Sequence, residues 1–166
     1  MIHWASVVFL GFIVVQRLSE LVIANRNTRR LFAKGAYEVG AAHYPAMVLM
    51  HSTWIACLLV FGYDQAISIG WLILFAVLQC LRVWILASLG RRWTTRIIIL
   101  EEPLVVRGPF KYVSHPNYMV VVAEIIAAPM VLGLVWVAAV FTILNAAMLW
   151  VRIRAEHKAL APFRGE

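Results

Sequence analysis

Residues 107–118 read Arg-Gly-Pro-Phe-Lys-Tyr-Val-Ser-His-Pro-Asn-Tyr, a polar, turn-rich insert in a strongly apolar chain. A histidine, two prolines, a glycine and three aromatic rings, just where a hydrophobic segment starts, describe a shaped site at a membrane surface more than a connector. Pro116 lacks a donor and fixes φ, so it suits the first turn of a helix, with His115 at its mouth. Free backbone N–H groups there favour an anionic ligand group; the plainer reading is a helix start within an interfacial aromatic belt. A second cluster is Arg152-Ile153-Arg154-Ala155-Glu156. Arg152 and Glu156 stand at i,i+4 on one helix face, and Asn145, seven residues earlier, continues the stripe. Such a stripe suits a ligand with a polar head and an apolar body, or is an ordinary ion pair worth roughly 0.2–0.5 kcal/mol.

Three further polar residues fall within apolar segments: Glu124, Arg82 with Gln79 three before it, and His51. Ionisable groups at membrane depth are costly and usually face a cavity or a partner. Glu124 sits about two turns into the helix that Pro116 opens, on the face of Asn117. Arg82 stands close enough to a span end to snorkel. Glu124 and His51 join Arg152 as candidate substrate-contacting residues. His43-Tyr44-Pro45 opens another span in the manner of His115-Pro116. The five histidines have no carboxylate or cysteine at ligand spacing on one helix face, so no metal site is expected. No dinucleotide, phosphate-loop or nucleophile-elbow motif is present. Cys57 and Cys80 lie in apolar runs and read as small packed residues.

These clusters need membrane elements to hold them. Of 166 residues, 63% are hydrophobic and only 14% charged, against roughly 25% in soluble domains. A mean hydropathy of +0.84 points the same way, to an integral membrane protein. The first segment lacks a basic leader and a small-residue cleavage site, so it is expected to stay as a membrane helix. Apolar runs at 2–24, 44–62 and 68–89 each approach the ~20 residues a bilayer core demands. The run from Tyr118 to Trp150 would be about 50 Å long as one helix, too long for one crossing. Pro129 and Gly133 near its middle favour a tight turn.

Charge decides the topology. Arg26, Arg29, Arg30 and Lys34 follow the first run; Arg91, Arg92, Arg96, Arg107 and Lys111 follow the third; Arg152, Arg154, Lys158 and Arg164 follow the last. The 62–67 loop has Asp64 and no base. By the positive-inside rule the long run doubles back as a hairpin. The expected fold is therefore all-α, one domain over 1–166, with five membrane helices, the last two a hairpin. Its N-terminus is expected outside and its C-terminus in the cytoplasm. The polar stretches 25–43, 90–116 and 151–166 then gather on one side. The net charge of +7 is explained by topology and anionic lipid headgroups, and no contiguous basic face calls for nucleic acid.

Taken together, Arg-Gly-Pro-Phe-x-Tyr-x-x-His-Pro-Asn-Tyr at 107–118, a hydrophobic hairpin and Arg-Ile-x-x-Glu at 152–156 resemble the isoprenylcysteine carboxyl methyltransferase family over about residues 90–163. The Ala-Lys-Gly-Ala stretch at 33–36, His43-Tyr44-Pro45, His51 and Trp93-Thr94-Thr95-Arg96-Ile97 resemble a bacterial subgroup associated with O-methylation of alkylpyrones and phenolic polyketide lipids. The resemblance implies S-adenosylmethionine as cofactor. It implies that Glu102, Pro103, Leu104 and Val105, the Phe110 ring, and His115, Pro116, Asn117 and Tyr118 line its pocket. Glu156 would hold the cofactor and Arg152 would face the acceptor. Phe110 stands where the family often has Tyr, Ser114 where it usually has Arg, and His157 where it usually has a second Glu; the chain also ends at Glu166, short of the basic tail of many relatives.

The implied reaction is O-methylation of a lipidic hydroxypyrone, phenol or carboxylate at the cytoplasmic interface, with Arg152 and Glu156 as the catalytic pair. Isoprenylcysteine-type carboxyl and phospholipid methylation are the other enzymatic readings. A small transporter subunit or scaffold, using Glu124 and Arg82 as a polar relay, is the non-enzymatic one.

Overall fold

The computed structural model describes residues 3–164 apart from Leu104, Val106 and Ser114, with side chains described through Ala159. Five helices carry the fold: α1 (Trp4–Phe32), α2 (Tyr44–Gly62), α3 (Ile69–Leu89), α4 (Pro116–Val131) and α5 (Val135–Arg164). Four of them lie in segments long and apolar enough to cross a bilayer, and α4 is a shorter apolar helix. Large apolar side chains such as Val8, Leu49, Ile73 and Ile143 point outward, as lipid contact requires. The protein is an all-α integral membrane protein.

Helix ends follow local chemistry. Ala33-Lys34-Gly35-Ala36 closes α1: Gly35 adopts φ +88°, its N–H bonds Phe32 O at 3.0 Å, and Ala36 N–H bonds Leu31 O at 3.1 Å. That is a Schellman closure. The same pattern ends α4, where Gly133 (φ +68°) donates to Met130 O and Leu134 to Pro129 O. The expected turn near Pro129 and Gly133 is therefore present, and α4 and α5 form the hairpin. At 16 residues α4 is about 24 Å long. It is shorter than the other four helices, which leaves room at one end of the bundle.

Two three-residue strands occupy that end. β1 (Tyr37–Val39) pairs antiparallel with β2 (Ile97–Ile99), with Glu38 opposite Ile98. The sequence pattern predicts no strand; the pair is small and does not change the fold class.

The interior is layered. At the far end Phe9, Trp54, Leu58, Phe75, Ile125, Val131 and Val137 pack into one apolar core. Next comes a layer of buried charge. Arg82 Nη1 donates to Glu124 at 2.6 Å and Arg82 also grips Glu20 through two nitrogens. Arg17 Nη2 reaches Glu124 at 2.8 Å, and Gln79 completes its other oxygen at 2.9 Å. Arg82 does not snorkel. It is only 5% exposed, and its charge is met within the protein by two carboxylates, from α1 and α4. Two guanidiniums and two carboxylates make the layer neutral, which is how charge is tolerated at this depth. The layer ties α1, α3 and α4 together beneath the open end.

Candidate functional site

A cavity of about 530 Å3 opens at the strand-bearing end of the bundle, within the ~300–1,000 Å3 typical of small-molecule sites. Leu31, Ile97 and Ile99 give it an apolar lining. Phe110, His115, Tyr118, Arg152 and Glu156 also line it.

Local sequence places each of these. Arg107 Nε donates to Ser88 O at 2.6 Å, anchoring the insert to the end of α3. Gly108 follows with φ +58°, and a Cβ there would collide with the Ser88 hydroxyl. Only glycine lets the chain lie so close, and Pro109 then starts the turn that carries Phe110. His115 precedes Pro116 and its carbonyl accepts from Tyr118 N–H at 3.1 Å, so Tyr118 projects from the first turn of α4. The His115 ring stacks on Tyr118 at 5.2 Å and lies 5.7 Å from His157 of α5.

Tyr118 is the hub. Its hydroxyl donates to Glu156 Oε2 at 2.5 Å and accepts from Arg152 Nε at 3.0 Å. Arg152 is 8% exposed; its Nη1 donates to Thr95 O at 2.8 Å and meets Met47 Sδ at 3.1 Å. Its Nη2 has no hydrogen-bond partner among the described residues, so the two N–H donors of that nitrogen remain for a ligand. The i,i+4 pair expected from spacing is thus joined through Tyr118 and not by direct contact.

The rim is also fixed by charge. Arg96 makes a two-pronged contact with Glu38 at 2.8 and 3.0 Å and lies over the Tyr44 ring at 4.2 Å. Its hydrogen bonds to Glu38 hold the Arg96 guanidinium above its ordinary pKa. Across the mouth, Arg92 binds Glu102 and Pro103 O, and Lys34 approaches Glu102 at 3.4 Å. The hydrogen bond from Arg92, followed by the charge of Lys34, holds the Glu102 carboxyl below its usual range.

The cavity brings together Glu102, Pro103, Val105, Phe110, His115, Asn117, Tyr118, Arg152 and Glu156. Leu104 lies outside the described residues. Pro116 is buried next to the lining. Glu124 is fully buried in the charge layer, and His51 bonds Met47 O at 3.0 Å; neither lines the cavity. Sequence reasoning missed Thr95, Met47, Arg92 and the isoleucines of β2. Thr94-Thr95-Arg96 before a β-branched run was the available signal for the strand. Nothing local marked Met47, which reaches the site only through the packing of α2 on α5.

Among the described residues no group of three His, Cys, Asp or Glu is arranged to hold a metal ion.

Residues 71–162 match the isoprenylcysteine carboxyl methyltransferase (ICMT) family. The chain is 38% identical over 160 residues to an uncharacterized protein, YpbQ, of Bacillus subtilis (strain 168), covering 93% of this chain and 95% of that one. It is 29% identical over 157 residues to an uncharacterized protein of Haemophilus influenzae, covering 90% and 91%. No solved structure matches it.

Proposed function

The chain belongs to the isoprenylcysteine carboxyl methyltransferase family of membrane methyltransferases, and from that premise we propose that it transfers a methyl group from S-adenosylmethionine to an oxygen of a lipidic acceptor. The observation that carries this reading is the Tyr118 hydroxyl joining Glu156 to Arg152 inside a cavity with an apolar wall.

The residues fit the cofactor. Asn117 lines the cavity, and its buried Oδ1 has no donor among the described residues, a cost that turning the amide onto a donor-bearing ligand would remove. Glu156 offers a carboxylate, and Phe110 and His115 offer ring faces. When bound, the cofactor supplies an electrophilic methyl on a sulfonium. Displacement at that carbon is in line, so the protein chiefly aligns the acceptor and excludes water. Arg152 does the first with its Nη2, which can hold an anionic oxygen by a charge-assisted hydrogen bond. Tyr118 and Thr95 fix the guanidinium so that the donor stays aimed. The apolar side chains of Leu31, Ile97 and Ile99 in the lining would limit water there.

A hydroxypyrone or carboxylate acceptor is ionised near neutral pH and needs no general base, whereas a simple phenol near ~10 would need one. We favour hydroxypyrone lipids over simple phenols because the site offers a cation to an oxygen already charged, and over carboxylates because the 33–36, 43–45 and 93–97 stretches resemble the alkylpyrone subgroup. By the positive-inside rule, the bases flanking this end favour the cytoplasmic side of a bacterial inner membrane. The polar cofactor then enters from water and the lipid tail from the bilayer.

The test is calorimetry of detergent-purified protein with S-adenosylmethionine, followed by transfer of a labelled methyl to an alkyl hydroxypyrone, a prenylcysteine and a phosphatidylethanolamine. Binding near one per chain and label on the hydroxypyrone are expected. Label on another acceptor revises the substrate alone. No binding at millimolar cofactor overturns the enzymatic reading in favour of a membrane scaffold or transporter subunit.

A further inference from the structure

A second cavity, of about 350 Å3, lies between α1 and the end of α3, on the other side of Trp93 from the first. Arg26, Arg30 and Arg91 line it, over an apolar floor of Ile23, Leu86 and Trp93. We propose that this cavity is a binding site for the phosphate headgroup of an anionic membrane phospholipid.

Charge is the first indication. Among the described residues no carboxylate lines this cavity: at this end of the bundle Glu38 pairs with Arg96 and Glu102 with Arg92 and Lys34, while Glu101 and Glu156 line the first cavity. Arg26, Arg30 and Arg91 form no ion pair or side-chain hydrogen bond with any described residue, yet they share one small cavity. Three like charges around one space repel, and an anion from outside relieves that repulsion. Guanidinium groups match phosphate by forked hydrogen bonds.

Place and shape then select the source of the anion. Arg26 and Arg30 sit on the last turns of α1, and Arg91 comes just after Gly90, which caps α3, so the cations stand where apolar spans give way to polar chain. Basic pockets between membrane helices at such a level hold lipid headgroups. Below the arginines, Leu18, Leu21, Val22 and Ile23 leave an apolar surface of α1 exposed, along which acyl chains can lie. A free phosphate would use the arginines and leave that surface unused.

The floor is also built. Asn27 is 4% exposed, and its side-chain amide donates to Gly90 O at 3.2 Å and Trp93 O at 2.8 Å. These bonds fix the turn from α3 toward β2 and hold Trp93 as the partition between the two cavities. The lipid site is therefore preformed and independent of the methyl-transfer reading.

The experiment is native mass spectrometry of the full chain released from nanodiscs of mixed phosphatidylglycerol and phosphatidylcholine with matched acyl chains. The wild type is expected to retain one phosphatidylglycerol in preference to phosphatidylcholine. Each arginine near an anionic surface contributes about fivefold, so Arg91→Gln should lower that preference about fivefold and the Arg26, Arg30 and Arg91 triple glutamine variant about a hundredfold. Arg29→Gln, outside the cavity, should leave it unchanged. Equal retention of the two lipids by the wild type, or equal loss in Arg29→Gln and Arg91→Gln, overturns the site. Displacement of the retained lipid by millimolar glycerol phosphate would assign it to a free phosphate and overturn the lipid assignment. If the triple variant does not fold, the single substitutions, at unchanged melting temperature, decide the matter.

Discussion

Tyr118 and Glu156, 38 residues apart on α4 and α5, share a 2.5 Å hydrogen bond that ties the short apolar helix to the cavity-facing carboxylate of α5. Because the same hydroxyl accepts from Arg152, the orientation of the arginine depends on α4 being seated. In the proposed reaction, one side chain from the turn that His115-Pro116 creates would then govern both the cofactor-side and the acceptor-side group.

Tyr118→Phe keeps the ring and removes both bonds. A hydrogen bond to a charged group is worth about 1.5–3 kcal/mol, so methyl transfer should fall about 10- to 100-fold with the melting temperature nearly unchanged. Glu156→Gln should weaken cofactor affinity, read by calorimetry. Arg152→Ala should spare cofactor affinity and depress turnover. Equal unfolding of both variants, with normal cofactor affinity in the folded fraction, would reduce the pair to a structural contact.

Removing one member of the buried charge layer leaves an uncompensated charge. Arg82→Met should cost about 3–5 kcal/mol in a denaturant titration in micelles. The double variant Arg82→Met with Glu124→Met leaves Arg17 and Glu20, already 3.5 Å apart, as a neutral pair. It should therefore be more stable than Arg82→Met alone. A double variant with additive losses would contradict the coupling.

Gly108 and Gly133 both have positive φ, and they separate conformation from space. Alanine at Gly133 meets nothing within 4 Å, so it should lose only the roughly 1–2 kcal/mol of the left-handed backbone. Alanine at Gly108 adds a collision with Ser88 and should lose more, together with cofactor affinity. Ser88→Ala in the Gly108→Ala background should recover part of that affinity.

Glu102 supplies a pH dependence. Its pKa is depressed by Arg92 and Lys34, so its contribution to docking the rim is present above the unfolded value, near ~4.3, and lost as pH falls through the lower folded value. The group is exposed, so the effect is small. The melting temperature of the wild type should fall more steeply on acidification than that of Glu102→Gln, and parallel curves would show that the contact contributes nothing.

Lys111 and Arg154 lie at the site end, whereas Asp64 is in the loop between α2 and α3. In intact cells, single cysteines at Lys111 and Arg154, with Cys57 and Cys80 replaced, should resist an impermeant thiol reagent, and a cysteine at Asp64 should react. Labelling of all three would overturn the proposed orientation.

Hydropathy and turn chemistry alone determined the membrane class, the helix order and the hairpin at Gly133, because these depend on residues close in the chain and on the length of a bilayer crossing. The location of the site was legible for a similar reason: Gly108, Pro109 and Pro116 each impose a backbone that few other residues can adopt. The i,i+4 spacing also put Arg152 and Glu156 on one face. Spacing could not show that Tyr118 would stand between them, since that requires α4 to pack on α5. Nor could it show that Arg82 would meet Glu20 and Glu124 in place of the interface, or that Glu124 and His51 would be kept from the cavity. Strands of three residues are too short for an alternating pattern to be read, so the β1–β2 wall emerged only from pairing. Those outcomes rest on distances between segments far apart in sequence, which only the packed structure sets.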